Sequence, residues 1–329
     1  MLFSLIIPVY NRPDEVAELM ESLAAQTRKT FEIILVEDGS AVTCEQTVKA
    51  CADRLPVTYY FIPNGGPGQA RNYGAARASG DYLIVLDSDC ILPPDYIQAV
   101  ENELNHSRAD AFGGPDKASP DFSNIQKAIN YSMTSFLTTG GIRGGKKELD
   151  KFYPRSFNMG IRKEVFNALG GFSNMRFGED IDFSIRLYRA GCKVCLFSSA
   201  WVYHKRRTDW KKFYRQVYNS GIARINLYKK YPRSLKPVHA LPALFTLGVL
   251  FLLGASIFSP WSLVPLLLYA VLLCLDATFK HGNLSIGILS VMASCIQLTG
   301  YGCGFLAGVW NRIILRRGEF SAFRKTFYK

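Results

Sequence analysis

Apolar runs and polar breaks alternate over the first hundred residues. Leu2–Val9 reads as a buried strand, and Pro13 opens a helix with Val16, Leu19, Met20 and Leu23 on one face. Phe31–Val36 is a second buried strand, followed by a helix over about 44–54 and a strand at Val57–Ile62. The loop Asn64-Gly65-Gly66-Pro67-Gly68 leads into a helix from about Gln69 to Ala78. Gly80-Asp81 turns the chain into a fourth strand, Tyr82–Leu86, and Pro93-Pro94 opens another helix. Four strand–helix alternations predict an α/β fold: a mostly parallel sheet with helices on both faces.

The next stretch is less regular. Phe122–Leu137 has the spacing of an amphipathic helix, and Thr138–Lys147, rich in Gly and Lys, reads as mobile. Pro154–Gly160 leads into a short helix at 162–169, which Gly170-Gly171-Phe172 breaks. Gly178-Glu179-Asp180-Ile181-Asp182-Phe183 begins another helix to about Ala190, and a strand follows near Val194–Phe197.

From Thr208 the pattern changes. Trp210, Phe213, Tyr214, Val217, Tyr218, Ile225 and Tyr228 recur at helical spacing with Lys and Arg between them. Such a helix suits a membrane interface, or equally packs on the first domain with its basic face solvated; the apolar run that follows tips the reading to the membrane. Val238–Phe258 and Leu284–Trp310 lack charge, and the shorter Leu263–Phe279 contains Asp276. These lengths fit a bilayer. The expected organisation is a catalytic domain over 1–205, a basic linker helix over 206–237, a transmembrane region over 238–311 and a basic tail over 312–329. A cytoplasmic tail satisfies the positive-inside rule with two or four crossings, three would put the tail on the far side, and the Gly-rich third run reads as a re-entrant hairpin or a tightly packed span.

Charge sharpens this division. Residues 1–200 hold 21 Lys and Arg against 24 Asp and Glu, whereas residues 201–329 hold 18 against 3. Basic residues flanking apolar runs point to anionic membrane lipid rather than nucleic acid. Eight scattered cysteines make no disulfide framework; Cys192-x-x-Cys195 lacks a second ligand pair and reads as ordinary half-buried residues. The N-terminal apolar run is short and has no preceding basic residue, so it does not read as a signal peptide, and the bulk of the chain is expected to stay on the side of synthesis. A bacterial inner membrane with a cytoplasmic catalytic domain fits this pattern.

The chemistry gathers at the strand ends, where parallel sheets bind ligands. These ends are Tyr10-Asn11, Glu37-Asp38, Asn64-Gly65-Gly66 and Asp87-Ser88-Asp89. Asp87 and Asp89, two apart beyond an apolar strand, suit a shared Mg²⁺ or Mn²⁺ bridging to a diphosphate, although the same pattern also closes strands as a polar turn. Asp38 suits a hydrogen bond from a base or ribose; an Asp-Gly turn is the bland alternative. Arg71 lies near a helix start, beside diphosphate or base, or in a surface salt bridge. Glu179 and Asp180 open a helix whose dipole favours acids in any case, yet one of them could act as general base on an acceptor hydroxyl.

Leu5–Asn11, Val36–Ser40, Gly68–Gly74, Val85–Asp89 and Gly178–Phe183 occur in that order, and together resemble the family 2 glycosyltransferases over about residues 3–205. The resemblance implies a GT-A fold, Rossmann-like, and an inverting, metal-dependent transfer from a nucleotide-diphosphate sugar. It places Pro8, Tyr10 and Asp38 at the nucleoside, Arg71 near base or diphosphate, and Asp87 at ribose and metal. Asn64 and Ser88 join this donor-binding set. Asp89 becomes a metal ligand, Asp180 the catalytic base with Glu179 beside it, and His204 a further ligand unless it is a satisfied surface histidine. Asp38 fits UDP, with GDP left open. The Q-x-x-R-W of processive synthases does not occur; Arg215-Gln216 stands nearby instead. Transfer of one sugar to a lipid-linked or membrane-proximal acceptor, in cell-surface glycan or glycolipid synthesis, is therefore expected. The alternatives are a polyprenyl-phosphate sugar synthase and a non-catalytic receptor for sugar nucleotides. A nucleotidyltransferase fits less well, because Tyr10–Pro13 is no Gly-rich phosphate loop.

Overall fold

The computed structural model describes residues 1–117, 119, 121–140, 152–205 and 209–320. It divides into two compact units, one of Met1–Ser119 with Asp150–Lys205, the other of Pro120–Leu149 with Arg206–Phe327.

In the first unit the chain runs β1 (Phe3–Val9), α1 (Pro13–Ala24), β2 (Phe31–Asp38), α2 (Glu45–Cys51), β3 (Val57–Ile62), α3 (Pro67–Ala75), β4 (Tyr82–Leu86), β5 (Cys90–Ile91), α4 (Tyr96–Ser107), β6 (Ala111–Gly113) and β7 (Asp116–Lys117). Two helices of the second unit follow, α5 (Asn124–Thr134) and α6 (Phe136–Thr139). The first unit resumes with β8 (Asn158–Arg162), α7 (Lys163–Ala168), α8 (Glu179–Arg189), β9 (Val194–Leu196) and β10 (Val202–His204).

Seven strands form one sheet in the order β3-β2-β1-β4-β8-β6-β9. It is parallel except at β8, which runs antiparallel to β4 and β6. A small sheet, β5-β10-β7, stands beside it. Strand parity divides the core. Phe3, Leu5, Ile7 and Val9 of β1, with Ile33 and Leu35 of β2, pack under α1, α2 and α4. Ile6, Ile34 and Val36 face the other way, against Ala70 and Ala75 of α3, Phe166 of α7 and Phe183 of α8. Burying both faces requires the near-continuous apolar runs seen in the sequence.

The structure differs from the sequence reading in the second half of this unit. Asn158–Arg162 is a strand, where the sequence suggested a lead-in to a helix. Met159 and Ile161 alternate into the core on one face, a five-residue signal that a Gly in the middle obscures. β5, β6, β7 and β10 are two or three residues long, too short for periodicity to register.

The second unit also contains α9 (Trp210–Lys230), α10 (Leu241–Ala255), α11 (Val264–His281) and α12 (Leu284–Gly308). Among the described residues, three stretches are long and apolar enough to cross a membrane: Pro237–Ala255, Pro260–His281 and Leu284–Ile314. Phe213 and Val217 of α9 are buried with Ala128, Ile129 and Met133 of α5 and Ala293 of α12, so the aromatic stripe of α9 is taken up by neighbouring helices. The backbones of α9 and α12 approach closely: a Cβ on Gly304 would stand 1.9 Å from the Tyr218 carbonyl oxygen. Asp276, the acid in the second apolar run, accepts hydrogen bonds from the Tyr131 hydroxyl at 2.6 Å and from Lys280 at 2.7 Å. All eight cysteines are free, and Cys192 and Cys195 are half-buried. Of the segment read as mobile, residues 141–147 lie outside the described residues, as does the tail beyond 320.

Candidate active site

The carboxyl ends of β1, β2, β3 and β4 bring the predicted polar residues to one edge of the sheet. Pro8 lies within β1 opposite Val36, and Tyr10 is half-buried just beyond it. At Asn11 the backbone enters the left-handed region (φ +51°), and its side-chain oxygen accepts the Ala41 and Val42 N–H groups at 2.8 and 2.9 Å. This ties the first strand end to the turn after the second.

Asp38 is buried, and its carboxylate accepts the N–H groups of Gly65 at 2.7 Å and Gly66 at 2.9 Å. Asn64 closes the same loop by donating to the Asp38 carbonyl oxygen at 2.7 Å. Burial pushes the Asp38 carboxyl up, while these two N–H groups and Arg176 oppose the shift. Asp38 thus shapes the loop that opens α3. Gly39 permits the approach: its φ is +69°, and a Cβ there would lie 2.6 Å from the Asn64 nitrogen.

Arg71, on α3, is 3% exposed and donates to Glu179 Oε1 at 2.7 Å and Asp87 Oδ1 at 2.9 Å. Its guanidinium lies 5.5 Å from the Phe172 ring centroid. Burial opposes this charge, but Asp87 and Glu179 raise its pKa above the ordinary value. One cation therefore links the end of β4 to the start of α8, and the surface salt-bridge alternative does not hold.

The three acids opening α8 separate by partner. Asp182 is fully buried and accepts from Arg186 at 3.0 Å, while Arg186 also donates to the Leu169 and Gly171 carbonyl oxygens. It is a packing residue. Glu179 and Asp180 are also buried and face Arg71 and Arg155. Burial pushes Glu179 up, Arg71 pulls it back and the Asp180 charge raises it again, leaving it above the usual carboxylate range. Burial also acts to raise Asp180, but Arg155, donating at 2.7 Å, and Arg71 hold it below that range. Of the two, Asp180 is the one whose neighbours favour its charged form.

Asp89 and His204 meet through the small sheet. β10 pairs antiparallel with β5, setting His204 opposite Cys90. His204 Nε2 then lies 3.2 Å from Asp89 Oδ1 and 3.9 Å from Asp87 Oδ2. The imidazole stacks on Phe157 at 4.9 Å, and its buried Nδ1 has no hydrogen-bond partner among the described residues. Arg12 donates to the other oxygen of Asp89. Ser88 is buried between the two acids. Asp89, Cys90 and His204 lie close enough together to hold a metal ion. The Cys90 thiol, though, is pushed well up by burial and points at the Phe157 carbonyl oxygen, so it stays a neutral core group. The usable donors are two carboxylates and an imidazole.

Residues 4–170 match the family described as Glycosyl transferase family 2. The chain belongs to that family. An uncharacterized glycosyltransferase of Haemophilus influenzae is 31% identical over 195 residues, which cover 56% of this chain and 62% of that protein. Glycosyltransferase GlyG of Streptococcus pneumoniae is 27% identical over 63% of this chain and 71% of its own length. An uncharacterized glycosyltransferase of Rickettsia felis is 40% identical over 95 residues, 29% of this chain, and the match spans only 16% of that relative. Among solved structures, the mannosyltransferase PcManGT of Pyrobaculum calidifontis, in complex with GDP-Man and Mn²⁺, superposes with a TM-score of 0.65 at 16% identity, covering 94% of this chain and 87% of its own. Residues 1–349 of S. aureus TarS, in complex with UDP-GlcNAc, give 0.50 at 22% identity over 69% and 67%. These likenesses show the GT-A-like fold.

The family and fold imply a divalent cation, and the residues fit one. Two hard carboxylate oxygens and an imidazole suit Mn²⁺ or Mg²⁺ with diphosphate oxygens completing the shell. Three residues beside this cluster were not singled out in the sequence: Arg12, Arg155 and Phe157. Arg12 carried a signal, a base directly after the first strand end. Glu37, named with Asp38 at the second strand end, instead points with Leu35 to the opposite face, where it accepts the Ser40 hydroxyl and the Cys44 N–H. Arg155 and Phe157 lie on a loop with no pattern to mark them.

Proposed function

We propose that this family 2 chain transfers one sugar, with inversion, from a nucleotide-diphosphate sugar to a lipid-linked or membrane-proximal acceptor. The observation that carries the reading is Asp180: a buried carboxylate kept charged by Arg155 and joined through Glu179 and Arg71 to Asp87. The acceptor hydroxyl oxygen attacks the anomeric carbon, the bond to the diphosphate oxygen breaks, and the hydroxyl proton passes to Asp180. Arg71 holds Asp87 towards ribose, while Pro8, Tyr10, the Asp38–Asn64 loop and Ser88 line the nucleoside side. A divalent cation held by Asp87, Asp89 and His204 would take up negative charge on the leaving diphosphate. The neighbours complexed with GDP-Man and with UDP-GlcNAc support a nucleotide-sugar donor. Asp38 fits uridine, and guanosine is the alternative that the assay with both donors decides. Three apolar helices and a basic surround support an acceptor presented at an anionic bilayer, with the first unit on its cytoplasmic side.

The test is turnover of the purified full chain with UDP- and GDP-sugars and a polyprenyl-linked acceptor extract. Asp180→Asn should lower kcat by roughly 10²–10⁴-fold, the usual contribution of a general base, with nucleotide affinity retained. Near-normal turnover would remove Asp180 from the base role and point to a phosphate acceptor, which needs no base.

A further inference from the structure

Arg12 has a place in the site that the transfer chemistry does not use. It stands at the N-cap of α1, directly after the left-handed turn at Asn11, and its backbone carbonyl accepts the Val16 N–H at 3.1 Å. The turn and the helix start fix where its side chain departs, and the guanidinium reaches across to Asp89 Oδ2. Asp89 is 9% exposed and Arg12 23%, so the pair is partly shielded from water. The other Asp89 oxygen faces His204. One oxygen of the acid best placed to ligate a cation thus faces a fellow donor, His204, while the other already carries a positive charge. A guanidinium cannot lose its proton at any working pH, so this counter-charge is permanent.

We propose that Arg12 is a built-in counter-cation for Asp89, which competes with the divalent cation and releases the carboxylate when a nucleoside diphosphate offers the guanidinium a new anionic partner. The proposal rests on the reading of Asp89 as a metal ligand. A divalent cation at the oxygen beside His204 and a guanidinium on the other oxygen of the same carboxylate repel each other, and the partly desolvated site screens that repulsion poorly. With Arg12 in place, metal alone either binds against the guanidinium's charge or displaces it and leaves it without its partner. With diphosphate present the displaced guanidinium has phosphate oxygens to bind, an arrangement its planar fork suits. Metal and nucleotide then strengthen each other's binding, and by linkage the effect is reciprocal. Arg12 acts here as a positioning residue that makes the cation and the donor arrive together.

The experiment is Mn²⁺ binding to the purified full chain, followed by electron paramagnetic resonance, alone and with saturating UDP or GDP. Arg12→Gln should bind Mn²⁺ alone about tenfold more tightly than the unaltered chain, and the gain in Mn²⁺ affinity on adding nucleotide should shrink by a similar factor. Arg12→Lys, which keeps the charge, should retain the weak binding of metal alone. Thermal melting of each variant checks that the site is folded. Binding that is lost in Asp89→Asn yet unchanged or weakened in Arg12→Gln would overturn the inference and leave the metal site standing. Absence of Mn²⁺ binding from every folded form, with either nucleotide, would overturn the metal site and the inference with it.

Discussion

Arg71→Met is the most informative single perturbation of the catalytic unit. Arg71 is 3% exposed, and its two ion pairs, at 2.7 Å to Glu179 and 2.9 Å to Asp87, are unequal in setting. The Asp87 side chain is 31% exposed and can exchange Arg71 for water; that of Glu179 is 9% exposed and cannot. Removing one partner of a buried pair costs about 3–5 kcal/mol, because a charge is left without compensation. Methionine fills much of the aliphatic space, so a loss of about 3 kcal/mol at pH 8 is expected. For a unit of this size that lowers the melting temperature by roughly 6–12 °C.

The loss must depend on pH. Burial and the neighbouring Asp180 charge already raise the Glu179 pKa, and Arg71 is the main opposing influence. Without Arg71 the folded-state value rises further. A carboxyl raised in this way stabilises the fold fully below its unfolded pKa, and that contribution disappears as pH rises through the folded value. The variant should therefore approach the unaltered chain at pH 5 and fall away by pH 8. Adding Glu179→Gln should recover most of the loss at pH 8. Differential scanning fluorimetry at the two pH values reads both effects. An equal loss at each pH, with no recovery in the double variant, would refute the idea that the cost lies in an unpaired Glu179.

Two further outcomes are expected. Arg155→Gln removes the side chain that holds Asp180 low; a depressed carboxyl serves above its folded pKa and fails as pH falls through it, so the acid limb of the kcat/KM profile should move to higher pH, and an unmoved limb would show that Arg155 does not set the charge of Asp180. Gly304→Val puts a side chain against the Tyr218 carbonyl oxygen 1.9 Å away, and should lower the detergent melting temperature of the helical unit with a cost of about 1–3 kcal/mol, whereas Gly248→Val on α10, in open space, should change little.

The catalytic half of this chain was legible where one residue pattern had one physical outcome. Strands β1, β2 and β4 are apolar on both faces because helices cover both, and the helical patterns between them point to that arrangement. Their polar ends marked the site for the same reason: Asp38, Asp87 and Asp89 lie where the apolar pattern stops. Pairings between distant elements were not legible. Nothing local says that β10 is set against β5, yet that register brings His204 to Asp89. Arg155 likewise reaches Asp180 from a loop whose sequence has no periodicity. The α9 stripe was readable as apolar, but its partner was not; α5 and α12 take a face that equally suits a bilayer surface.

The division between the units is not a single cut in the chain. The polypeptide leaves the catalytic unit after Ser119, returns at Asp150 and leaves again after Lys205, so three covalent connections join the two. A protease that nicks any one of them leaves the halves attached by the other two. Expression of the catalytic half by stopping at residue 205 would carry α5 along without α9 and α12, baring Ala128, Ile129 and Met133 to water as an adhesive patch. A fragment meant to lack the helical unit has to omit residues 120–149 as well as those after 205.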